Sequence, residues 1–371
     1  MIIEQLLSGR YKFNKDFTPP RLLETQQKSR ILFLNEIHNR NKYISITKCP
    51  CCGRSDFTKI SEIERRYLPS DIVICDFCEM CFKSLILDLE ANEYHYSKIS
   101  YALRGKDLSD DAIEKLFAER IKLYAYPRYN FISHFVEFNC KSDLIVEFGC
   151  NDGANLFPWY KKGFQVVGVE LDPKMVEFGN RKGLNLIYGD LLNYNFGEKP
   201  PKLVILSHTL EHVRDVNKVL DRLYEILQPD GYLFIEVPGI RSHALGDPMI
   251  YFDVEHNYYF DLNSLSKLLK RHTFNIVYAD EFIRALCTPA QNESVLLPKQ
   301  ISLSLNKIRA DILKIFIDTI GSKKKKLFNL LKESERDSFV IRVLNKLQMM
   351  YFRYYYSAIS ISRSREGNGN I

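Results

Sequence analysis

Four cysteines stand as two Cys-x-x-Cys pairs, Cys49/Cys52 and Cys75/Cys78, with 22 residues between the pairs. Thiolates in that pattern can surround one tetrahedral Zn2+ and leave no open position, so such a metal is structural and not catalytic. Gly53 follows the first pair, where it lets backbone N–H groups turn toward sulfur; Glu79 stands at the corresponding place after the second. Cys51 and Cys81 are spare thiols in the same stretch, so the ligand choice stays open, with reduced structural thiols as the alternative reading.

A second group of residues could hold a small ligand. The segment VEFGCNDG carries Glu147, Gly149, Asn151, Asp152 and Gly153. A tight turn from strand into helix needs residues without a bulky Cβ, so that a ligand can reach the backbone and its N–H groups. Seventeen residues after Gly153 comes Glu170, followed by Leu171. A carboxylate there can accept both hydroxyls of a ribose. Gly189-Asp190-Leu191 and His208-Thr-Leu-Glu211-His212 follow two further apolar runs. The latter matches the metallopeptidase pattern H-x-x-E-H, which requires a long helix, whereas here it follows a strand.

A third group is FDVEHNYYFD, with Glu255, His256 and Tyr258. A neutral histidine beside a carboxylate is suited to remove a proton from an attacking oxygen or carbon, with the carboxylate orienting the ring. The bland alternative is a histidine that fixes a loop.

The elements that must position these residues are legible as apolar runs. DLIVEF (143–148), QVVGVE (165–170), LNLIYGD (184–190), KLVILS (202–207), GYLFIEVPG (231–239), NIVYAD (275–280) and FIRALC (282–287) read as seven strands. Amphipathic stretches separate most of them, among them DVNKVLDRLYEILQPDG and DLNSLSKLLKRHTF. Strands apolar on both faces, alternating with helices, imply an α/β domain with a mostly parallel sheet covered on both sides. Ligands on such sheets bind outside the carboxyl ends of the strands, the edge where the residues of the second group gather. The expected organisation is an N-terminal extension (1–45), a small zinc-binding lobe (46–90), a helical connector (91–139) with Ser109 as an N-cap, the α/β domain (140–287) and a helical, basic extension (288–371).

Together these residues resemble the class I S-adenosylmethionine-dependent methyltransferases, a Rossmann-like fold. The resemblance covers about 150 central residues. It implies that Glu147 supports the Gly-rich turn, that the turn holds the methionine part of the cofactor, that Glu170 binds ribose, and that Asp190 faces the adenine amino group. Leu171, Leu191 and His208 would line the same pocket. Asn151 departs from the usual Gly, but Asn tolerates left-handed backbone. The spacing is not the G-x-G-x-x-G of NAD-binding folds, and FIRALC supplies the family's last strand, expected antiparallel between strands five and six. With the cysteine lobe ahead of it, the chain is similar to bacterial sugar and surface-polysaccharide methyltransferases. In sugar C-methyltransferases with such a lobe, a Glu-His pair at the place of Glu255 and His256 supplies the base. The implied reaction is methyl transfer to a sugar, as nucleotide-sugar or growing glycan, at a hydroxyl. The rivals are C-methylation of a sugar, methylation of rRNA or tRNA, and an inactive zinc-ribbon scaffold. Tyr94, His95 and Tyr96 read either as a substrate lid or as packing at the joint.

The net charge is +6 over 371 residues, yet the chain from residue 302 onward carries +8, which leaves −2 for the rest. A near-neutral body speaks against a nucleic-acid groove. Lys323–Lys326 and YFRYYY (351–356) read as a solvated charge run with an aromatic packing face, or as an attachment to an anionic membrane or a glycan-assembly complex. Neither a secretion signal nor a run of 18 apolar residues is present, so the expected location is the cytoplasm, where nine cysteines stay reduced.

Overall fold

The computed structural model describes residues 2–14, 22–105, 109–194, 199–240, 248–280 and 283–290. The expectations placed on the basic and aromatic tail, including Lys323–Lys326 and residues 351–356, lie outside the described residues. The chain divides into two compact units, Met1–Ile121 with Glu137–Glu293, and Lys122–Val136 with Ser294–Ile371. In the described part of the second unit, helix Tyr126–Phe135 begins with Pro127 in its first turn, where a missing N–H costs nothing.

The first unit is built on a seven-stranded sheet: β1 Leu144–Phe148, β2 Gln165–Glu170, β3 Leu186–Tyr188, β4 Leu203–Ser207, β5 Tyr232–Glu236, β6 Phe274–Ala279 and β7 Arg284–Pro289. Their order across the sheet is β6-β7-β5-β4-β1-β2-β3. The pairings β3-β2, β2-β1, β1-β4 and β4-β5 are parallel. β7 lies antiparallel between β5 and β6, as the sequence predicts. Every residue of β1 and β4 is buried, which is why these strands read as unbroken apolar runs and not as alternation.

Helices between the strands start where the sequence provides caps. Asp172 accepts N–H groups of Lys174 and Met175 ahead of Pro173–Arg181, and Asp215 does so for Asn217 and Lys218 ahead of Val216–Ile226. Asp261 and Ser264 cap each other reciprocally at the start of Leu262–Arg271. Ser109 caps Asp110–Arg120 through the N–H of Ala112, as predicted.

The cysteine lobe is not a free-standing knuckle. Its hairpin, Phe57–Ile63 and Pro69–Cys75, belongs to a five-stranded sheet that also takes in Ile2–Glu4, Cys81–Lys83 and Tyr258–Tyr259. The extreme N-terminal strand pairs in parallel with Phe57–Lys59, so residues expected to form a separate extension complete this sheet. At the other edge Tyr258 pairs with Phe82 and Tyr259 with Cys81, while Lys83 N–H donates to the Asn257 carbonyl at 3.0 Å. Phe57, Val73 and Phe82 pack in one apolar core with β1, β4 and β5. Arg271, at the end of its helix, donates to the carbonyls of Pro50 (3.2 Å) and Cys51 (2.9 Å). No helix among the described residues is long and apolar enough to cross a membrane.

Candidate active site

The turn after β1 bends as its residue types demand. Gly149 (φ +65°), Asn151 (φ +50°) and Gly153 (φ +78°) all adopt left-handed backbone. A Cβ on Gly149 would meet Thr209 Oγ1 at 2.5 Å, and one on Gly153 would meet Leu184 Cδ1 at 2.6 Å. The departure at Asn151 is therefore accommodated. Glu147 is buried under the turn and accepts from Asn155 Nδ2 at 2.7 Å.

Glu170 ends β2 beside this turn. Its carboxylate accepts the N–H groups of Asn151 (2.7 Å), Leu171 (2.8 Å) and Asp172 (3.0 Å). Burial raises its pKa, and the three N–H groups oppose the rise. A carboxylate offers about four acceptor positions. With three filled by described residues, one position remains, against the two that the resemblance implies for a ribose. Leu171 is 63% exposed beyond the strand end, whereas Leu191 is buried in the core. The Asp190 carboxylate accepts from Leu192 N–H at 2.8 Å, and Gly189 N–H reaches the Glu170 carbonyl at 3.0 Å, which joins the ends of β2 and β3.

Sequence reasoning missed two residues over the turn. Arg120, the last residue of helix Asp110–Arg120, donates to Asn151 Oδ1 (2.7 Å) and Asp152 Oδ2 (2.5 Å). Burial raises the Asp152 pKa against the pull of Arg120. Tyr101 hydrogen-bonds to Asp172. Neither carries a spacing signal, since each partner lies at least 31 residues away.

At the ends of β4 and β5 a cluster of histidines surrounds a buried carboxylate. His208 sits in left-handed backbone (φ +54°), and its half-exposed ring lies 3.5 Å from Glu211 and 3.6 Å from Glu236. Burial would lower its pKa, but the two carboxylates raise it to about 9. His212 Nδ1 donates to the Glu255 carbonyl at 3.1 Å, with the Tyr96 hydroxyl 3.5 Å from the same nitrogen. His256 Nδ1 donates to the Tyr251 carbonyl at 3.2 Å. The two rings meet edge to face with centroids 4.8 Å apart. A carbonyl can only accept, so both histidines present Nε2 with its lone pair. Burial first, offset in part by nearby carboxylates, lowers His212 to about 3 and His256 to about 4. Asp215 caps the following helix, and the H-x-x-E-H segment folds as a turn.

Two expectations are corrected here. Glu255 does not orient His256. Its buried carboxylate accepts from Ser100 Oγ (2.7 Å) and His95 Nε2 (3.1 Å) and pairs with Arg104. It thereby ties the loop to the segment 95–104. Tyr258 is a core residue, its hydroxyl donating to the Arg214 carbonyl at 2.9 Å. Of the Tyr-rich joint, His95 is fully buried and Tyr96 reaches the histidine cluster.

The sulfurs of Cys49, Cys52, Cys75 and Cys78 lie within 4.8 Å of one another, with Cys49–Cys78 at 3.4 Å and Cys52–Cys75 at 3.5 Å. Zn–S bonds of about 2.3 Å in a tetrahedron need sulfurs about 3.8 Å apart. The four could hold such an ion. The two knuckles share one turn: Gly53 N–H donates to the Cys49 carbonyl and Glu79 N–H to the Cys75 carbonyl, with Glu79 at φ +64° where Gly was missing. Cys81 instead packs with Ile72, Phe252 and Tyr259.

A Gly-rich turn, an acid closing the second strand and an antiparallel last strand are the arrangement that the sequence resemblance implies. In agreement, residues 117–279 match the family model described as a methyltransferase domain. The C-methyltransferase NovU of Streptomyces niveus is 26% identical over 256 residues, 62% of this chain. The chain spans 57% of the length of that curated relative. Solved structures similar to the chain include DesVI of Streptomyces venezuelae (14% identity, TM-score 0.40, 50% of this chain and 100% of that one). Another is phosphoethanolamine N-methyltransferase 2 of Haemonchus contortus (17% identity, TM-score 0.39, 62% of this chain and 53% of that one). Likenesses of this size carry no conclusion about this chain.

Two outcomes are expected. Glu170→Gln weakens S-adenosylmethionine binding by about 10- to 100-fold, the loss of a charge-assisted hydrogen bond; calorimetry showing unchanged affinity would refute the ribose assignment. His95 has its pKa lowered from 6.5 to about 3, chiefly by burial. The unfolded chain then binds the proton first, so stability is full above pH 6.5 and falls as pH drops toward 3, by about 2 kcal/mol at pH 5 from this group. In His95→Gln, which keeps a donor for Glu255, the difference in denaturation midpoint between pH 7 and pH 5 shrinks accordingly.

Proposed function

We propose that the protein transfers the methyl group of S-adenosylmethionine to a sugar, carried as a nucleotide-sugar or in a growing glycan. The single observation behind the reading is that two histidines, each donating Nδ1–H to a backbone carbonyl and so presenting Nε2, stand at the same sheet edge as the Gly-rich turn and Glu170. The sulfonium methyl needs little activation, but the acceptor must lose a proton as it attacks. His256 is the base in this reading, its tautomer set by the Tyr251 carbonyl. Cationic His208, between Glu211 and Glu236, suits a developing negative charge on the acceptor. In-line placement of acceptor and methyl supplies the rest.

The expected acceptor atom is a hydroxyl oxygen. A carbon acceptor is the second reading, favoured by the name of the curated relative, a C-methyltransferase. Methylation of RNA fits poorly with a body of net charge −2. An inactive scaffold would bind no cofactor. The four-cysteine cluster is proposed as a structural zinc site. Its sheet runs from the knuckles to Tyr258–Tyr259, two residues from His256. A cytoplasmic location and a membrane or glycan-assembly contact through the tail belong to the same proposal.

His256→Ala lowers turnover by at least about 100-fold, the typical share of a general base, with S-adenosylmethionine affinity unchanged; retained turnover removes the base assignment. A screen of nucleotide-sugars with labelled cofactor identifies the acceptor, and absence of any cofactor binding would support the scaffold instead. Stripping the metal with a chelator lowers the melting temperature and turnover together; a metal-free protein with unaltered melting would remove the zinc assignment.

A further inference from the structure

We propose that Glu211, His212 and His256 form a second metal site, one that takes a divalent transition ion such as Zn2+ or Co2+ and, when filled, silences methyl transfer. One ligand atom from each of the three lies within 4.8 Å of the others. The second observation concerns Glu211. It is 1% exposed, and among the described residues neither carboxylate oxygen has a hydrogen-bond partner. His208 Nδ1 stands 3.5 Å from its Oε1 and His212 Nε2 stands 3.8 Å from it. A carboxylate removed from water without donors is costly, and a metal ion relieves that cost.

The supporting shell is of the kind metal-ligating histidines use. His212 and His256 each donate Nδ1–H to a backbone carbonyl, of Glu255 and of Tyr251. This fixes the ring orientation and leaves Nε2 unprotonated and directed away from the carbonyl. Two imidazoles and one carboxylate select borderline ions over Mg2+ or Ca2+, which prefer all-oxygen sites. The His212 side chain is 25% exposed, so an ion can enter from solvent. The H-x-x-E-H segment thus contributes two ligands without the helix of a peptidase, because the third comes from the loop after β5. Ion binding takes the lone pair of His256 that proton transfer requires, so the silencing half of the proposal rests on the function proposed above.

The test uses full-length protein with its cysteine site loaded with zinc. Co2+ is titrated while visible absorption, bound cobalt by dialysis, and turnover are followed. The expected result is one added equivalent with d–d bands and no thiolate charge-transfer band, and loss of turnover over the same concentration range. Glu211→Gln and His212→Asn weaken cobalt binding at least tenfold, with S-adenosylmethionine binding as the check on folding. No added equivalent, cobalt showing only thiolate charge transfer, or unchanged binding in both folded variants overturns the site. Full turnover with the site filled overturns the silencing. Cobalt bound as expected in a protein that methylates no acceptor leaves the site standing and fails the proposed function.

Discussion

One carboxylate holds the cofactor end of the fold together. Glu170 accepts the N–H of Asn151 across the gap between β1 and β2, and the N–H groups of Leu171 and Asp172 in its own turn. The Gly-rich turn keeps its left-handed bends partly because this anchor holds its middle. Arg120 holds the other side of the same residue. Any change at Glu170 therefore alters the turn itself, besides the ribose contact that the resemblance implies for it.

A second carboxylate does the corresponding work beside the histidine cluster. Glu255 is buried and gathers Ser100, His95 and Arg104 from the segment before the α/β domain. Its backbone carbonyl meanwhile fixes His212. The loop is held again by Lys83, whose ammonium donates to the Val254 carbonyl at 2.5 Å, and by Arg65 and Arg66, which pair with Asp253. These partners come from the cysteine lobe and its sheet. The lobe is thus part of the wall that sets where His256 stands.

The sheet was legible in the sequence because parallel strands covered on both faces must be apolar throughout, and β1, β2, β4 and β5 have little else. The turn at 149–153 and the cysteine knuckles were legible for a related reason. Backbone with positive φ and tetrahedral sulfur each restrict residue type at short spacing. Glu79 shows the limit of that reasoning, since it takes the left-handed place of a glycine without one. The role of Glu255 was not legible. Its partners His95, Ser100 and Arg104 lie between 151 and 160 residues away, and nothing local distinguishes a carboxylate that orients its neighbour from one that buries itself against another segment. Tyr258 was misread for the opposite reason. It is next to functional residues in sequence but takes part in a strand that pairs with Phe82.

The two proposals ask one arrangement of histidines to serve two chemistries. A base needs an uncharged ring, a fixed tautomer and a lone pair facing the cleft. A metal ligand needs the same three things. What separates the uses is the state of Glu211. With His208 protonated beside it, the carboxylate has a cation at 3.5 Å, and the two Nε2 atoms remain free for an acceptor proton. With a divalent ion in place, the ion takes over that compensation and also occupies the lone pairs. On the two proposals together, a buried carboxylate without donors among the described residues leaves the histidines open to either occupant, and the cation concentration around the protein decides which state prevails.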